Sequence, residues 1–150
     1  SFSINIIYLT YNLNIMSHKI SDIEGIGPAY EAKLKEIGIA SVEKLLEKGA
    51  SAKGREEIES QTGIDHKRIL DWVGMADLFR VKGIASQFAE LLKGAGVDTV
   101  KELRTRNAAN LHKKMEEVNE EKNLTRVVAS LGQVEDWVAQ AKELEPVVTY

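Results

Sequence analysis

The sequence predicts an all-α fold, and three observations carry that prediction. After residue 16, apolar residues recur at three- and four-residue spacing, and no window alternates as a half-buried strand would. Glycine, proline, serine and asparagine stand where such helices would begin and end. Third, one stretch occurs twice. Ile23-Glu24-Gly25-Ile26-Gly27-Pro28, followed by Leu34, Gly38 and Val42, returns 58 positions on as Val81-Lys82-Gly83-Ile84-Ala85-Ser86, followed by Leu92, Gly96 and Val100. The chain reads as a tandem repeat of one helical unit.

Pro28 suits a first helical position, where its missing N–H has no partner to lose, and Gly27 before it can cap. Tyr30, Leu34 and Ile37 then form an apolar stripe that stops at Gly38. Ser41 caps a short helix through Leu45 and Leu46 to Gly49, Ser51 opens another through Ile58 to Gly63, and Asp65 caps a helix carrying Ile69, Trp72, Val73 and Ala76. In the second copy Phe88, Leu91 and Leu92 lie on a helix that ends at residues 94–96, with Thr99 or Asp98 as the next cap. Asn107 caps a longer charged helix through Leu111, Met115 and Val118, with residues 119–123 as its frayed end. Ser130 stands seven residues before Trp137, as Asp65 stands seven before Trp72. Here the offset between copies has grown from 58 to 65, so the second unit carries about seven extra residues. Residues 147–150 read as an extended tail, with residues 1–15 as a candidate partner.

Each unit alone is near the size at which a core becomes marginal, so the two are expected to share one. Three segments follow: 1–15, 16–79 and 80–150. The first is uncharged and rich in Ile, Asn, Leu and Ser; it reads as a non-native or flexible extension ahead of a natural start at Met16. The alternative is an N-terminal strand built on Phe2, Ile4, Ile6 and Tyr8. The segment lacks the basic start and cleavage site of a signal peptide, and its apolar runs are too short to span a bilayer. With no cysteine in the chain, no disulfide or thiolate metal site can form. The expectation is a cytoplasmic protein with no membrane contact.

The pattern of residues 23–27, an apolar residue, any residue, glycine, apolar residue and glycine ahead of a helix, resembles the helix-hairpin-helix motif of DNA repair and recombination proteins. That resemblance implies a hairpin at Gly25, Ile26 and Gly27 whose glycines let the backbone approach a phosphate. N–H groups at the start of the following helix would donate to it, and Ile26 would insert between the two helices. Such hairpins grip duplex DNA without reading sequence, sometimes with a monovalent cation on the hairpin carbonyls. The duplicated layout, the spacing of the tryptophan helices and the closing residues 147–150 are also similar to an uncharacterised family of small bacterial proteins, catalogued as a domain of unknown function. The likeness covers residues 17–150 and implies two fused helix-hairpin-helix units in a SAM-domain-like helical bundle. Two departures matter. The second hairpin has Ala85 and Ser86 in place of Gly27 and Pro28, and the first is flanked by Asp22, Glu24 and Glu31, which oppose a phosphate.

Charge discriminates between the hairpins. Residues 80–114 hold eight Lys and Arg against three acids, a balance of +5, while residues 16–79 carry −3 and residues 115–150 carry −5. A nucleic-acid face is therefore expected on the second unit. It would use the N–H groups of Gly83, Ile84, Ala85 and Ser86, with Lys82, Lys93, Arg104 and Arg106 around them; Gly25, Ile26 and Gly27 form a secondary hairpin. A net charge of −3 limits this to weak, sequence-independent binding of duplex DNA. The alternative is a protein-interaction adaptor that binds no nucleic acid, its acidic ends contacting a partner, and a charged helix that is simply a solvated face fits the same pattern.

His18, His66 and His112 show no second histidine or carboxylate pair at ligand spacing and read as surface or capping residues. Trp72 and Trp137 sit on apolar stripes and read as core. Glu116, Glu117, Glu120 and Glu121, interleaved with Lys113, Lys114 and Lys122, read as surface pairs; Glu56, Glu57 and Glu59 form a second acidic run. No nucleophile triad, phosphate-binding loop or paired-carboxylate cleft can be assembled. A non-enzyme with no cofactor and no metal is expected.

Overall fold

The computed structural model describes residues 18–150; the expectations for residues 1–15 and Met16 lie outside them. Among the described residues the elements are helical, with no strand and one isolated antiparallel bridge between Lys19 and Ser41. After a 3-10 turn at Ile20–Asp22 come α1 (Pro28–Glu36), α2 (Val42–Gly49), α3 (Ala52–Thr62) and α4 (His66–Leu78). The second half contributes α5 (Ser86–Gly94), α6 (Val100–Leu103), α7 (Ala108–Lys122) and α8 (Leu131–Glu143). The fold class is all-α, as predicted. No helix among the described residues is long and apolar enough to cross a membrane.

Short polar side chains start most of these helices by accepting the amide three residues on. Ser41, Ser51, Thr99, Asn107 and Ser130 all do so, and Ser130 forms a reciprocal pair with Gln133. Thr99, not Asp98, is the cap of α6. Asp65 stands at the cap position of α4, but its carboxylate makes no capping bond. Residues 119–123 are not frayed, because α7 runs on to Lys122 and turns at Asn123 (φ 52°). Asn119 holds the exit in place: its Oδ1 accepts from Thr125 N at 2.9 Å and its Nδ2 donates to Thr125 O at 3.0 Å.

One core joins the two units, and α4 runs through it. Every residue from Trp72 to Leu78 is buried, so this half of the helix is covered on all sides. It packs on α2 and α3 of its own unit and on α5 of the next. Gly74 lets the Asp98 carbonyl come close, since a Cβ there would lie 2.6 Å from that oxygen. Asp77, 1% exposed, ties the units together: Oδ1 accepts from Arg80 Nη1 and Oδ2 from the Val100 amide that opens α6, both at 2.8 Å.

The C-terminal tail crosses to the first unit. Thr149 N donates to Ala50 O at 2.8 Å, Val148 is buried, and Arg55 donates to Thr149 O. The same buried guanidinium donates to the carbonyls of Gly49 and Ala50, and desolvation lowers its pKa. These carbonyls lie where α2 gives way to α3, so the tail docks there on the Ala50 carbonyl and on Arg55.

Candidate nucleic-acid interface

Both copies of the repeated stretch make the same local turn. Ile26 N donates to Ile23 O at 3.1 Å, and Ile84 N donates to Val81 O at 3.2 Å. All four of these side chains are buried, while Lys82, Gly83 and Ala85 are exposed. The glycine between each pair takes a positive φ, 96° at Gly25 and 97° at Gly83, a region that side chains with a Cβ avoid. A tryptophan lies beneath each glycine. A Cβ on Gly25 would stand 3.3 Å from Trp72 Nε1, and one on Gly83 would stand 2.9 Å from Trp137 Nε1. Each indole also packs against an aromatic ring of the helix that follows the turn, Trp72 on Tyr30 (centroids 5.1 Å apart) and Trp137 on Phe88 (5.3 Å). The tryptophans are core residues of their own units, as expected.

The helices after the turns start without side-chain caps. Gly27 and Ala85 are the cap residues, both with extended backbone, and neither has a side-chain acceptor to offer. The opening amides of a helix have no partner within it, so they remain donors for something outside. Pro28 removes one such donor from α1, whereas Ser86 keeps it in α5. A Cβ on Gly27 would meet nothing within 4 Å, so the methyl of Ala85 is compatible with the same turn.

The basic residues divide into two groups. Lys82 is held by its backbone: its N–H donates to Gln140 Oε1 at 2.9 Å, and its carbonyl accepts from Gln140 Nε2 at 3.0 Å. Arg104 Nη2 donates to the Lys142 carbonyl at 3.2 Å, and Arg80 Nη2 to the Glu145 carbonyl at 2.8 Å. The last turn of α8 and its exit thus gather Arg80, Lys82 and Arg104 beside Lys142; two acids lie among them, Asp77 paired with Arg80 at 2.8 Å and Asp136 accepting from Gln140 at 2.8 Å. Lys93 and Arg106 are engaged elsewhere. Lys93 Nζ stands 3.4 Å from Asp71 on α4. Arg106 pairs with Glu102 at 3.1 Å and donates to the carbonyls of Ala95 and Gly96, closing the end of α5.

The surface around Lys93 is acidic. Burial pushes the carboxyl groups of Glu90 and Asp98 above their ordinary pKa; Lys93 opposes this at both, while Glu24 and Asp71 add to it at Glu90 and Asp71 and Glu102 at Asp98. Lys93 is therefore a counterion within its own seam. Gln140, Arg80 and Lys142 were not singled out as site residues from sequence. Lys142 lies in the segment summed as −5, and no local pattern relates Gln140 to Lys82.

A family model described as "Domain of unknown function (DUF4332)" matches residues 24–144. The chain belongs to that family. The match takes in both glycine turns and all of α1 to α8, and it stops before the tail that docks on Arg55. No curated protein and no solved structure matches the chain.

Proposed function

We propose that the chain is a pair of fused helix-hairpin-helix units, arranged as a SAM-domain-like bundle, that binds duplex DNA weakly and without sequence preference through its second hairpin. It acts as a cytoplasmic, non-catalytic protein. The observation that carries this reading is the convergence of Arg80, Lys82, Arg104 and Lys142 around the end of α8, beside the uncapped start of α5. Uncapped amides supply short-range donors for a phosphate, and Lys82, Arg104 and Lys142, beside the Asp77-paired Arg80, supply the attraction that the first hairpin's acids oppose. Lys93 and Arg106 contribute by holding α5 in place, not by touching DNA. With a net charge of −3, affinity falls in the range of non-specific binding, roughly 10⁻⁴ to 10⁻⁶ M, and drops steeply with salt.

Fluorescence anisotropy of a labelled duplex at two salt concentrations tests this. The paired change Lys82→Glu and Arg104→Glu should weaken binding by about tenfold or more. Lys35→Glu with Lys44→Glu alters net charge equally on the first unit, where both lysines already pair with glutamates, and should change affinity less than about twofold. Absence of binding at low salt with the protein at about 100 µM would overturn the reading. A protein-interaction adaptor would then lead, favoured by the exposure of Val127 (76%) and Leu131 (41%) where α7 connects to α8.

A further inference from the structure

We propose a metal site on the first unit: Glu59, Asp65 and His66 form a three-donor site for a divalent first-row transition-metal ion such as Zn²⁺. The connection between α3 and α4 builds it. Gly63, at φ 72°, turns the chain sharply after α3, and Thr62 Oγ1 accepts the Ile64 amide at 3.2 Å. This brings Glu59, one turn before the end of α3, against the start of α4, where its Oε2 accepts the His66 amide at 2.9 Å. His66 Nδ1 then lies 3.5 Å from Glu59 Oε2 and 3.9 Å from Asp65 Oδ1, and one donor atom from each of the three residues falls within 4.8 Å of the others. A tetrahedral ion with bonds of about 2.0–2.2 Å holds its ligand atoms roughly 3.3–3.6 Å apart. The three side chains need only close by small rotations, and all are solvent-accessible enough to make them.

Two further observations separate this cluster from ordinary surface pairing. Asp65 occupies a helix cap with one of the best capping side chains, yet its carboxylate leaves the cap unmade and stands beside the imidazole. In the second unit, 65 positions on, Asp65 and His66 become Ser130 and Leu131, and Ser130 resumes ordinary capping, while Asn119, four residues before the left-handed Asn123, stands where Glu59 stands before Gly63. The tryptophan helix therefore starts without an aspartate or a histidine in one copy, so its packing does not account for Asp65 and His66 in the other. A cavity of about 400 Å³ borders Glu59 and His66; Glu56, Tyr150 and Arg55, whose guanidinium is already bonded to backbone carbonyls, also line it, and it leaves room for a water or for Glu56 to complete the coordination. One imidazole with two carboxylates suits Zn²⁺, Co²⁺ or Ni²⁺ better than Mg²⁺ or Ca²⁺, which prefer oxygen alone.

The site stands independently of DNA binding, on a different unit and with different residues. Calorimetric titration of ZnCl₂ into the 150-residue chain tests it, with Co²⁺ absorption as a second readout of the donor set. One saturable site per chain is expected, weakened about tenfold or more by His66→Ala and by Asp65→Asn. His112→Ala removes the helical pair that His112 Nδ1 makes with Glu116 at 3.3 Å, and it should leave affinity within about twofold. Circular dichroism of the metal-free variants should match the parent, since Asp65 and His66 are exposed and His112 is half-buried. Absence of saturable binding, or binding that His66→Ala leaves unchanged, would overturn the proposal.

Discussion

At Gly83 two demands fall on one residue. Its backbone is left-handed, and the place a Cβ would occupy is 2.9 Å from Trp137 Nε1. Gly25 shares the first demand but has more room, 3.3 Å to Trp72 Nε1. Gly83→Ala should therefore destabilise more than Gly25→Ala in urea unfolding, each by at least about 1 kcal/mol from backbone strain. Trp137→Ala removes an indole that is 1% exposed and should cost about 3 to 5 kcal/mol. Equal losses at the two glycines would contradict this account of the turn. The glycines and tryptophans were each legible in the sequence, because repetition marks them and their types fit turn and core. That each glycine sits on its own tryptophan was not legible, since the two are far apart in the chain and only tertiary packing relates them.

At the scale of the elements, cap residues made the helix starts readable. The misses came where a polar side chain works across elements. Asn119 looked like the fraying of a charged helix, yet it satisfies both the amide and the carbonyl of Thr125. Asp77 gave no local signal, but it couples the end of α4 to the start of α6 from a fully buried position. Asp77→Ala strands the Val100 amide and releases Arg80, so a loss of roughly 2 to 4 kcal/mol is expected in thermal or urea unfolding. Asp77→Asn, which can still accept one bond, should fall between the two. A loss below about 0.5 kcal/mol for Asp77→Ala would show that α4 and α6 are held by packing alone.

For the whole molecule, charge summed by segment pointed to the second unit but blurred the patch within it. Lys93 and Arg106 entered that sum although the fold commits one to Asp71 and the other to Glu102 and the end of α5. Lys142 was hidden in an acidic segment although α8 carries it to Arg104. Segment charge follows chain order, and a phosphate responds to distance in space. The measurement that bears most directly on the proposed role is a ¹⁵N chemical-shift titration of the labelled protein with a short duplex at low salt. Perturbations centred on the amides of residues 82–87, together with those of Arg104 and the last turn of α8, are predicted. Perturbations centred instead on residues 24–28, or on the exposed apolar residues between α7 and α8, would contradict it.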